Sequence, residues 1–342
     1  MALEFGIFDS IDLGRSTSGE ILEGRLRIAA LAEECGFDRY HVTEHHGTTL
    51  SVSPSPSLFL AALSQRTTRM RIGTLVYVVP AYEPLRLAEE VAVLDQLTGG
   101  RFDFGVGRGV SPFELEYFGV AAEASGAILR ENLAAILESY RTGVFSHPGG
   151  ERPTTRLSVL PVQQPHPPLW VASGSLETAA RAGAEGTNFV GRWEGGGLSP
   201  LVEAYWAARG GAEGSEVEPR VGCAAHLYIG ATDAAAEDRY LQAATVYWER
   251  LISLWHEHDV YGADFLYDPR DMLDKSNAIV GSADTVRDQL AALLEQSDIN
   301  YFELTMTYGD LTVDEASDNV RALAGIMPDL RAAADRRVRV AR

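Results

Sequence analysis

The chain has 342 residues, and its 48 acidic against 29 basic side chains give a net charge of −19 at pH 7. This excess of negative charge argues against nucleic acid or an anionic membrane as a partner, because both repel an acidic surface. Hydrophobic residues make up 46% of the chain, yet no apolar run approaches the ~18 residues of a membrane span, so the composition predicts a globular protein without a membrane segment.

Short apolar runs alternate with helical patterns along the whole chain. The period of each run predicts whether it is a strand or a helix. In the first repeat, Phe5 and Ile7 lie in a strand, and Ile21, Ile28 and Leu31 follow at helical spacing. Eight such strands are predicted, at residues 3–8, 37–43, 70–79, within 99–109, and at 169–172, 188–190, 221–229 and 301–307.

The alternation of strands and helices predicts a (β/α)8 TIM barrel, because each crossover helix returns the chain to the same end of a parallel sheet. We expect a single domain over residues 1–335. It carries a proline-rich insertion after strand four (143–168, a possible hairpin), a second insertion after strand seven (258–277), and a frayed basic tail at 336–342. The two cysteines, Cys35 and Cys223, are predicted to be buried thiols of a cytoplasmic protein.

The fourth strand runs into alternating glycines, Gly105, Gly107 and Gly109, with Arg108 among them. Glycine has no Cβ, so a ligand can approach the backbone, and the arginine offers a charged fork that suits a phosphate. An ordinary strand-to-helix turn is the alternative. A dinucleotide-binding fingerprint is disfavoured, since its third glycine should lie three residues beyond the second.

In such a barrel the chemistry lies at the carboxyl ends of the strands. There the sequence places Glu44-His45-His46 after strand two, Ser173-Gly174-Ser175 after strand five, and Arg192 with Trp193 after strand six. The serines begin a helix, whose free amides bind anions, so Arg108 and this turn could hold one phosphate. Alternatively, Ser175 only caps the helix.

His41, Glu44 and His45 also spell His-x-x-Glu-His, a zinc-protease pattern. That pattern requires a helix. In a strand, His41 and His45 would lie about 13 Å apart, too far to share a metal. We therefore predict no metal site, and a structural role for His45 is the alternative to a chemical one.

Several motifs in order resemble the bacterial-luciferase-like flavin monooxygenases, and the resemblance runs essentially end to end. They are the segments at residues 35–38 and 44–46, 88–97, 100–109, 168–172 and 280–282. The resemblance implies a two-component, alkanal-monooxygenase-like enzyme. Such an enzyme receives reduced FMN from a separate flavin reductase, forms a C4a-hydroperoxide with dioxygen and oxygenates a small organic substrate. It also implies a homodimer.

Carried over to this sequence, the resemblance implies a catalytic His45 with Glu44, and phosphate contacts from Arg108 and from Ser173, Gly174 and Ser175. A non-prolyl cis peptide under the flavin ring would fall at Leu75-Val76, beside Gly105 and Gly107. Candidate walls of the substrate pocket are Phe8, Tyr77, Val106, Arg192 and Trp193. Luciferases often carry a reactive cysteine where this chain has Gly107, which disfavours light emission and a long-chain aldehyde substrate.

Two other functions remain open from the sequence. One is hydride transfer by a member of the same superfamily that uses a deazaflavin coenzyme; a surface richer in Lys or Arg would favour it. The other is a non-catalytic flavin-binding partner subunit. The presence of Glu44-His45-His46 argues against the second, because a storage protein needs no acid/base histidine.

Overall fold

Eight parallel strands close into a barrel in the computed structural model, which describes residues 2–150, 152–192, 199–210, 219–261, 268–274 and 277–340. The strands of the described residues are β1 (Glu4–Asp9), β2 (Arg39–Val42), β3 (Arg71–Thr74), β4 (Tyr77–Val78), β5 (Phe102–Gly107), β6 (Val144–Phe145), β7 (Thr155–Arg156), β8 (Leu169–Ala172), β9 (Asn188–Arg192), β10 (Val221–Ile229), β11 (Ala278–Gly281) and β12 (Tyr301–Thr305). The barrel runs in the order β1, β2, β3, β5, β8, β9, β10, β12, and the pairing of β12 with β1 closes it. The predicted (β/α)8 fold is confirmed.

Helices connect the strands and cover the outside of the barrel. They are α1 (Ser18–Glu34), α2 (Pro56–Ser64), α3 (Pro84–Thr98), α4 (Pro112–Tyr117), α5 (Ser125–Thr142), α6 (Leu176–Glu185), α7 (Ser199–Arg209), α8 (Asp233–Glu257), α9 (Pro269–Asp274), α10 (Ala283–Gln296) and α11 (Val313–Val340). Within the described residues, none of them combines the length and apolar character that a membrane span requires.

The structure differs from the predicted elements where local periodicity is interrupted. The third strand ends at Thr74 and resumes as β4, and the peptide bond between Leu75 and Val76, which lies between the two strands, is cis. The sequence prediction missed β11, which pairs in parallel with the outer half of β10, and the short helix α4. The first insertion does form a hairpin, of β6 and β7. The second contains α9, and its residues 262–267 and 275–276 lie outside the described residues.

The expected fraying of the basic tail is not seen at residues 336–340, and residues 341–342 lie outside the described residues. Residues 336–340 continue α11 instead of fraying, and Arg337 reaches back to donate a hydrogen bond to the Ser297 carbonyl (2.8 Å) and to Asp298 (2.6 Å). These contacts of Arg337 with the Ser297 carbonyl and the Asp298 carboxylate stabilise the last turns of the helix. Of the cysteines, Cys223 is buried as expected, but Cys35 is only half-buried.

Strand alternation divides the side chains between two environments. On β5, Phe102, Phe104 and Val106 pack outward into the main core beneath the helices. The alternating residues Asp103, Gly105 and Gly107 therefore face the interior of the barrel.

The amino end of the barrel interior is filled by a charged network. The buried Asp103 carboxylate pairs with Arg39 (2.8 Å), Arg71 (2.7 Å) and His41 Nε2 (3.3 Å). On its other side, His41 Nδ1 lies 3.0 Å from Glu303. Burial by itself would lower the pKa of His41, but the carboxylates of Glu303 and Asp103 outweigh burial and raise it to about 9. His41 is therefore an imidazolium at neutral pH that donates from both nitrogens.

The stability of the fold should depend on pH through His41. Because its folded pKa of about 9 lies above the ordinary 6.5, its contribution is fully present below pH 6.5 and is lost as the pH rises through 9. The loss amounts to ~3 kcal/mol of unfolding free energy. Urea unfolding across this range measures it. Glu303→Gln should flatten the profile, whereas His166→Gln should not. A wild-type profile as flat as that of Glu303→Gln would contradict the prediction.

Candidate active site

The barrel interior changes from charged to apolar towards the carboxyl ends of the strands. Trp170 lies across the network, with the Arg39 guanidinium 5.0 Å from its ring and the His41 ring 4.8 Å away. Above it, Leu75 and Val190 form an apolar cluster with Trp170. The partly buried members of that cluster are Phe8, Val76 and Ala224. Because these last three side chains are only half-buried, we call the barrel mouth above the cluster the cleft, and the cluster its floor.

Gly105 and Gly107 make room for the chain at the break in strand three. A Cβ on Gly105 would lie 1.9 Å from the Thr74 carbonyl oxygen, and one on Gly107 would lie 2.3 Å from Val76 Cγ2. Neither glycine has a positive φ; of the three in this run, only Gly109 does (83°). Both are therefore needed for close packing against the Leu75-Val76 segment, and that segment carries the cis peptide at the position that the resemblance implied.

His45 is paired with a carboxylate that the sequence did not suggest. Its Nδ1 lies 3.2 Å from Glu114 Oε1, and the same oxygen accepts a hydrogen bond from the His46 amide. Glu114 is buried on α4, whose first turn is capped by Ser111. A carboxylate that accepts from Nδ1–H leaves Nε2 as the atom able to take up a proton. His45 itself is half-buried, so part of its side chain stays exposed.

Glu44, which was expected to act with His45, forms its hydrogen bonds with other groups. It is buried, and its two oxygens bind His46 Nε2 (2.8 Å) and the Val78 amide (2.9 Å). The carboxylate thus ties the loop after β2 to β4. Glu44 positions this loop and makes no hydrogen bond to His45 among the described residues.

Arg108 and the Ser173-Gly174-Ser175 turn leave the barrel side by side. Gly105 pairs with Trp170, so Arg108 and the turn follow the carboxyl ends of two neighbouring strands. Arg108 is exposed and Ser173 is half-buried. Ser175 Oγ accepts from the Thr178 amide and caps α6, while the Ser175 amide donates to Ser173 Oγ. The Ser175 hydroxyl therefore caps the helix, as the alternative interpretation of this turn predicted.

The expected pocket residues are not all in one place. Phe8 belongs to the floor of the cleft. Tyr77 and Val106 are buried in the main core on the outer side of the barrel, and Tyr77 donates or accepts a hydrogen bond with Ser57 there (2.7 Å). They cannot line the cleft. Arg192 ends β9, and its side chain and the whole of Trp193 lie outside the described residues.

No group of three or more His, Cys, Asp or Glu side chains is placed to hold a metal ion in the part of the chain that the structure describes. The two histidines of the zinc-like pattern point to different partners, since His41 binds Asp103 and Glu303 whereas His45 binds Glu114.

Glu114 is the candidate site residue that the sequence analysis missed. The run Ser111-Pro112-Phe113-Glu114 has the Ser-x-x-Glu spacing and the early proline of a helix start. That pattern predicts α4, but it gives no indication that the carboxylate turns back to His45, 69 residues earlier in the chain.

The chain matches a known protein family over most of its length. A sequence profile described as luciferase-like monooxygenase matches residues 3–300. The chain belongs to this family. The resemblance that the sequence motifs indicated is thereby confirmed.

Two relatives match this luciferase-like chain over different lengths. The uncharacterized protein y4wF of Sinorhizobium fredii is 31% identical over 321 residues, which is 91% of this chain and 92% of the relative. The oxygenase component of a flavin-dependent trigonelline monooxygenase from Acinetobacter baylyi is 33% identical over 163 residues, covering 46% of this chain and 45% of that protein.

Solved structures share the fold of this luciferase-like chain. The monooxygenase RslO1 from Streptomyces bottropensis has a TM-score of 0.81 at 25% identity, over 96% of this chain and 99% of its own. The oxygenating constituent of 3,6-diketocamphane monooxygenase from Pseudomonas putida was solved with FMN. Its TM-score is 0.77 at 20% identity, and the match covers 95% of this chain and 97% of that one. An F420-dependent secondary alcohol dehydrogenase has a TM-score of 0.71 at 18% identity, and the match covers 96% of this chain and 99% of that one.

The pairing with Glu114 should fix the tautomer of His45. We expect its imidazole to carry the neutral-state proton on Nδ1, and Glu114→Ala to abolish this preference because the acceptor is removed. Long-range ¹H–¹⁵N spectra of histidine-labelled protein report the tautomer, and His45→Gln assigns the resonances. Glu116→Gln, an exposed carboxylate on the same helix, should leave the spectrum unchanged. An Nε2–H tautomer in the wild type would refute the assignment.

Proposed function

We propose that this luciferase-like chain is the oxygenase component of a two-component monooxygenase, which uses reduced FMN and dioxygen to oxygenate a small organic substrate. The observation that carries the proposal is the His45–Glu114 pair at the carboxyl end of the barrel (3.2 Å). A histidine held in one tautomer by a buried carboxylate is suited to acid/base chemistry, which a mere binding protein does not need.

The residues around the cleft fit FMN. Ala172, the last residue of β8, is exposed, and Val76 and Gly107 are half-buried, so the strand ends beside the floor are open. A Cβ on Gly174 would meet nothing within 4 Å, which leaves its backbone accessible. The start of α6 and the exposed Arg108 guanidinium would hold the phosphate. When bound, reduced FMN would supply the electrons that activate dioxygen.

The chain itself would supply three things. The apolar floor of Leu75, Val76 and Phe8 keeps water from the reacting groups, which suppresses wasteful side reactions. His45 Nε2 would take a proton from the substrate or return one, and Glu114 holds the ring in place for either transfer. Glu44 holds the loop that carries both histidines. A separate flavin reductase would deliver the reduced cofactor.

Deazaflavin-dependent hydride transfer is the alternative function. It is supported by the shared fold with an F420-dependent dehydrogenase, although fold alone does not decide chemistry. Oxygen uptake distinguishes the two, because a deazaflavin enzyme oxidises its substrate without consuming dioxygen. We also propose a cytoplasmic homodimer. The dimer is supported by exposed apolar side chains on the packed helices α2 and α3, namely Leu58, Val93 and Leu97.

Arg108 should determine the affinity for the phosphate of reduced FMN. Arg108→Ala removes one charge-assisted contact, which costs ~1.5–3 kcal/mol, or about 10- to 150-fold in affinity. Anaerobic titration with reduced FMN measures the loss, and reduced riboflavin, which has no phosphate, should bind both proteins equally. Arg141→Ala, on the outer helix α5, serves as the control. An unchanged affinity for FMN would rule out Arg108 as the phosphate ligand.

His45 should matter for turnover more than for binding. His45→Ala should keep FMN affinity within a few-fold, while product formation falls about 10²–10⁴-fold and hydrogen peroxide release rises. Glu114→Gln should lower product formation less than His45→Ala does, since it weakens only the orientation of the ring. Oxygen uptake, peroxide and product are followed together. If His45→Ala instead loses FMN binding or unfolds, the histidine has a structural role.

A further inference from the structure

The carboxylate of the proposed acid/base pair stands on a short helix whose position depends on its neighbours. Helix α4 has six residues, and Pro112, Glu116 and Tyr117 are exposed. A helix of this length is not stable by itself in water, because forming the first turn costs more conformational entropy than its few hydrogen bonds offset. The contacts of α4 with the rest of the protein therefore decide whether Glu114 stays opposite His45.

On its inner side, α4 is held by the close packing of one leucine. Leu115 is buried, and a Cβ on Gly109 would lie 3.0 Å from Leu115 Cδ2 and 3.0 Å from Val78 Cγ1. Gly109 also has a φ of 83°, which glycine adopts at little cost. This packing sets the distance between α4 and β4. A contact at one side chain leaves the helix free to tilt, so its direction requires a second support.

On its outer side, α4 contacts the carboxyl-terminal end of α8 through three rings. The Phe113 ring is stacked on the His258 ring, with 4.0 Å between the ring centres and 5° between the planes. The Trp255 ring meets Phe113 edge-on, at 6.1 Å and 84°. Contacts with a face and an edge together restrict the Phe113 ring to one direction. We call Phe113, Trp255 and His258 the aromatic clamp.

Helix α8 gives the aromatic clamp a fixed support. Arg250, in the same half of the helix as Trp255, binds the buried Asp12 (2.6 Å) and the Gly309 carbonyl (3.0 Å). Asp12 follows β1 and Gly309 follows β12, and the two are joined by a hydrogen bond from the Gly309 amide to Asp12 (2.8 Å). The carboxyl-terminal half of α8 is therefore tied to the ends of two barrel strands.

The same part of α8 contacts the loop that carries His45. Thr48 belongs to this loop, and its hydroxyl donates to the Arg250 carbonyl (3.5 Å). Both members of the acid/base pair are thus placed relative to α8. His45 is placed through the contact of its loop with Arg250, and Glu114 is placed through the neighbouring Phe113.

We propose that Phe113, Trp255 and His258 are positioning residues for the His45–Glu114 pair. This inference rests on the proposed monooxygenase function, in which that pair moves a proton. The aromatic clamp holds α4 so that Glu114 Oε1 stays within hydrogen-bond distance of His45 Nδ1 (3.2 Å). Without the rings, α4 would keep its cap and its inner contact but would tilt away from the loop. The longer contact would then free His45 to adopt the other tautomer.

Long-range ¹H–¹⁵N spectra of histidine-labelled protein without flavin test the aromatic clamp. Phe113→Ala should shift the ratio of the two neutral tautomers of His45 about 2- to 12-fold towards Nε2–H, the change that the loss of one aromatic contact allows. His258→Ala removes only an exposed ring and should act in the same direction. Phe113→Tyr and His258→Phe keep a ring at each position, so they should restore the wild-type ratio.

The matched control is His147→Ala, which removes a comparable ring contact with Phe145 (5.0 Å) in the hairpin of the first insertion and should leave the ratio unchanged. If Phe113→Ala does not fold, His258→Ala decides alone. The proposal is overturned if the alanine variants of the aromatic clamp keep the wild-type ratio, if His147→Ala changes the ratio as much as they do, or if Phe113→Tyr does not restore it.

Turnover with reduced FMN and dioxygen is measured separately on each variant. The alanine variants of the aromatic clamp should lower kcat about 2- to 12-fold and leave KM unchanged, because they disturb proton transfer and not the binding of substrate. A chain that shows the expected tautomer shifts but forms no product contradicts the proposed function and leaves the positioning role intact. A chain that forms product but whose tautomer ratio does not respond contradicts the positioning role alone.

Discussion

A single buried carboxylate, Asp103, holds the interior of this barrel together. Taking an ionised group out of water is costly unless other charges and hydrogen-bond donors replace the water. Burial by itself would raise the pKa of Asp103, but Arg71, Arg39 and His41 outweigh it and hold that pKa below its ordinary value. The strands that carry these four residues, β2, β3 and β5, are neighbours in the barrel. The register of these three strands is therefore fixed by the ion pairs of Asp103 as well as by the backbone hydrogen bonds.

The layers above depend on this network. Trp170 rests on Arg39 and His41, and its upper side supports the apolar floor. An apolar surface directly above a charged one is stable only because each charge below already has a partner. The floor in turn supports Leu75-Val76, whose backbone requires glycine at Gly105. The interior of the barrel thus holds, from the amino to the carboxyl end of the strands, the charged network, the Trp170 ring, the apolar floor and the close contact at Gly105.

Around the mouth, two short contacts join segments that are remote in the chain. His45 meets Glu114 from α4, and Ser10 meets Tyr247 from α8. Both helices lie over the carboxyl ends of the strands, where a TIM barrel builds its site from connecting segments. The first contact orients an acid/base group and the second shapes the opposite side. This division suits a family in which one fold hosts several reactions, because either side can change without disturbing the network below.

Much of the fold could be predicted from the sequence because strand and helix periods are local properties. The strand at 169–172 and the long helix from Asp233 were predicted at their observed bounds. Alternation alone also places Val106 on the face opposite Gly105 and Gly107, so its expected position in the pocket conflicted with the sequence itself. Tyr77 could not be placed in this way, because the break at Leu75-Val76 interrupts the alternation of strand three.

The sequence by itself determined the eight strands, the catalytic candidate His45, and the joint position of Arg108 and the Ser173 turn at one end of the barrel. Only the tertiary structure decided that Glu114, and not the adjacent Glu44, pairs with His45, and that Tyr247 meets Ser10 across 237 residues of chain. The physical reason is that periodicity records which face of its own element a side chain occupies. Which side chain it meets on another element is decided by the closure of the barrel and the packing of the connecting helices over its mouth.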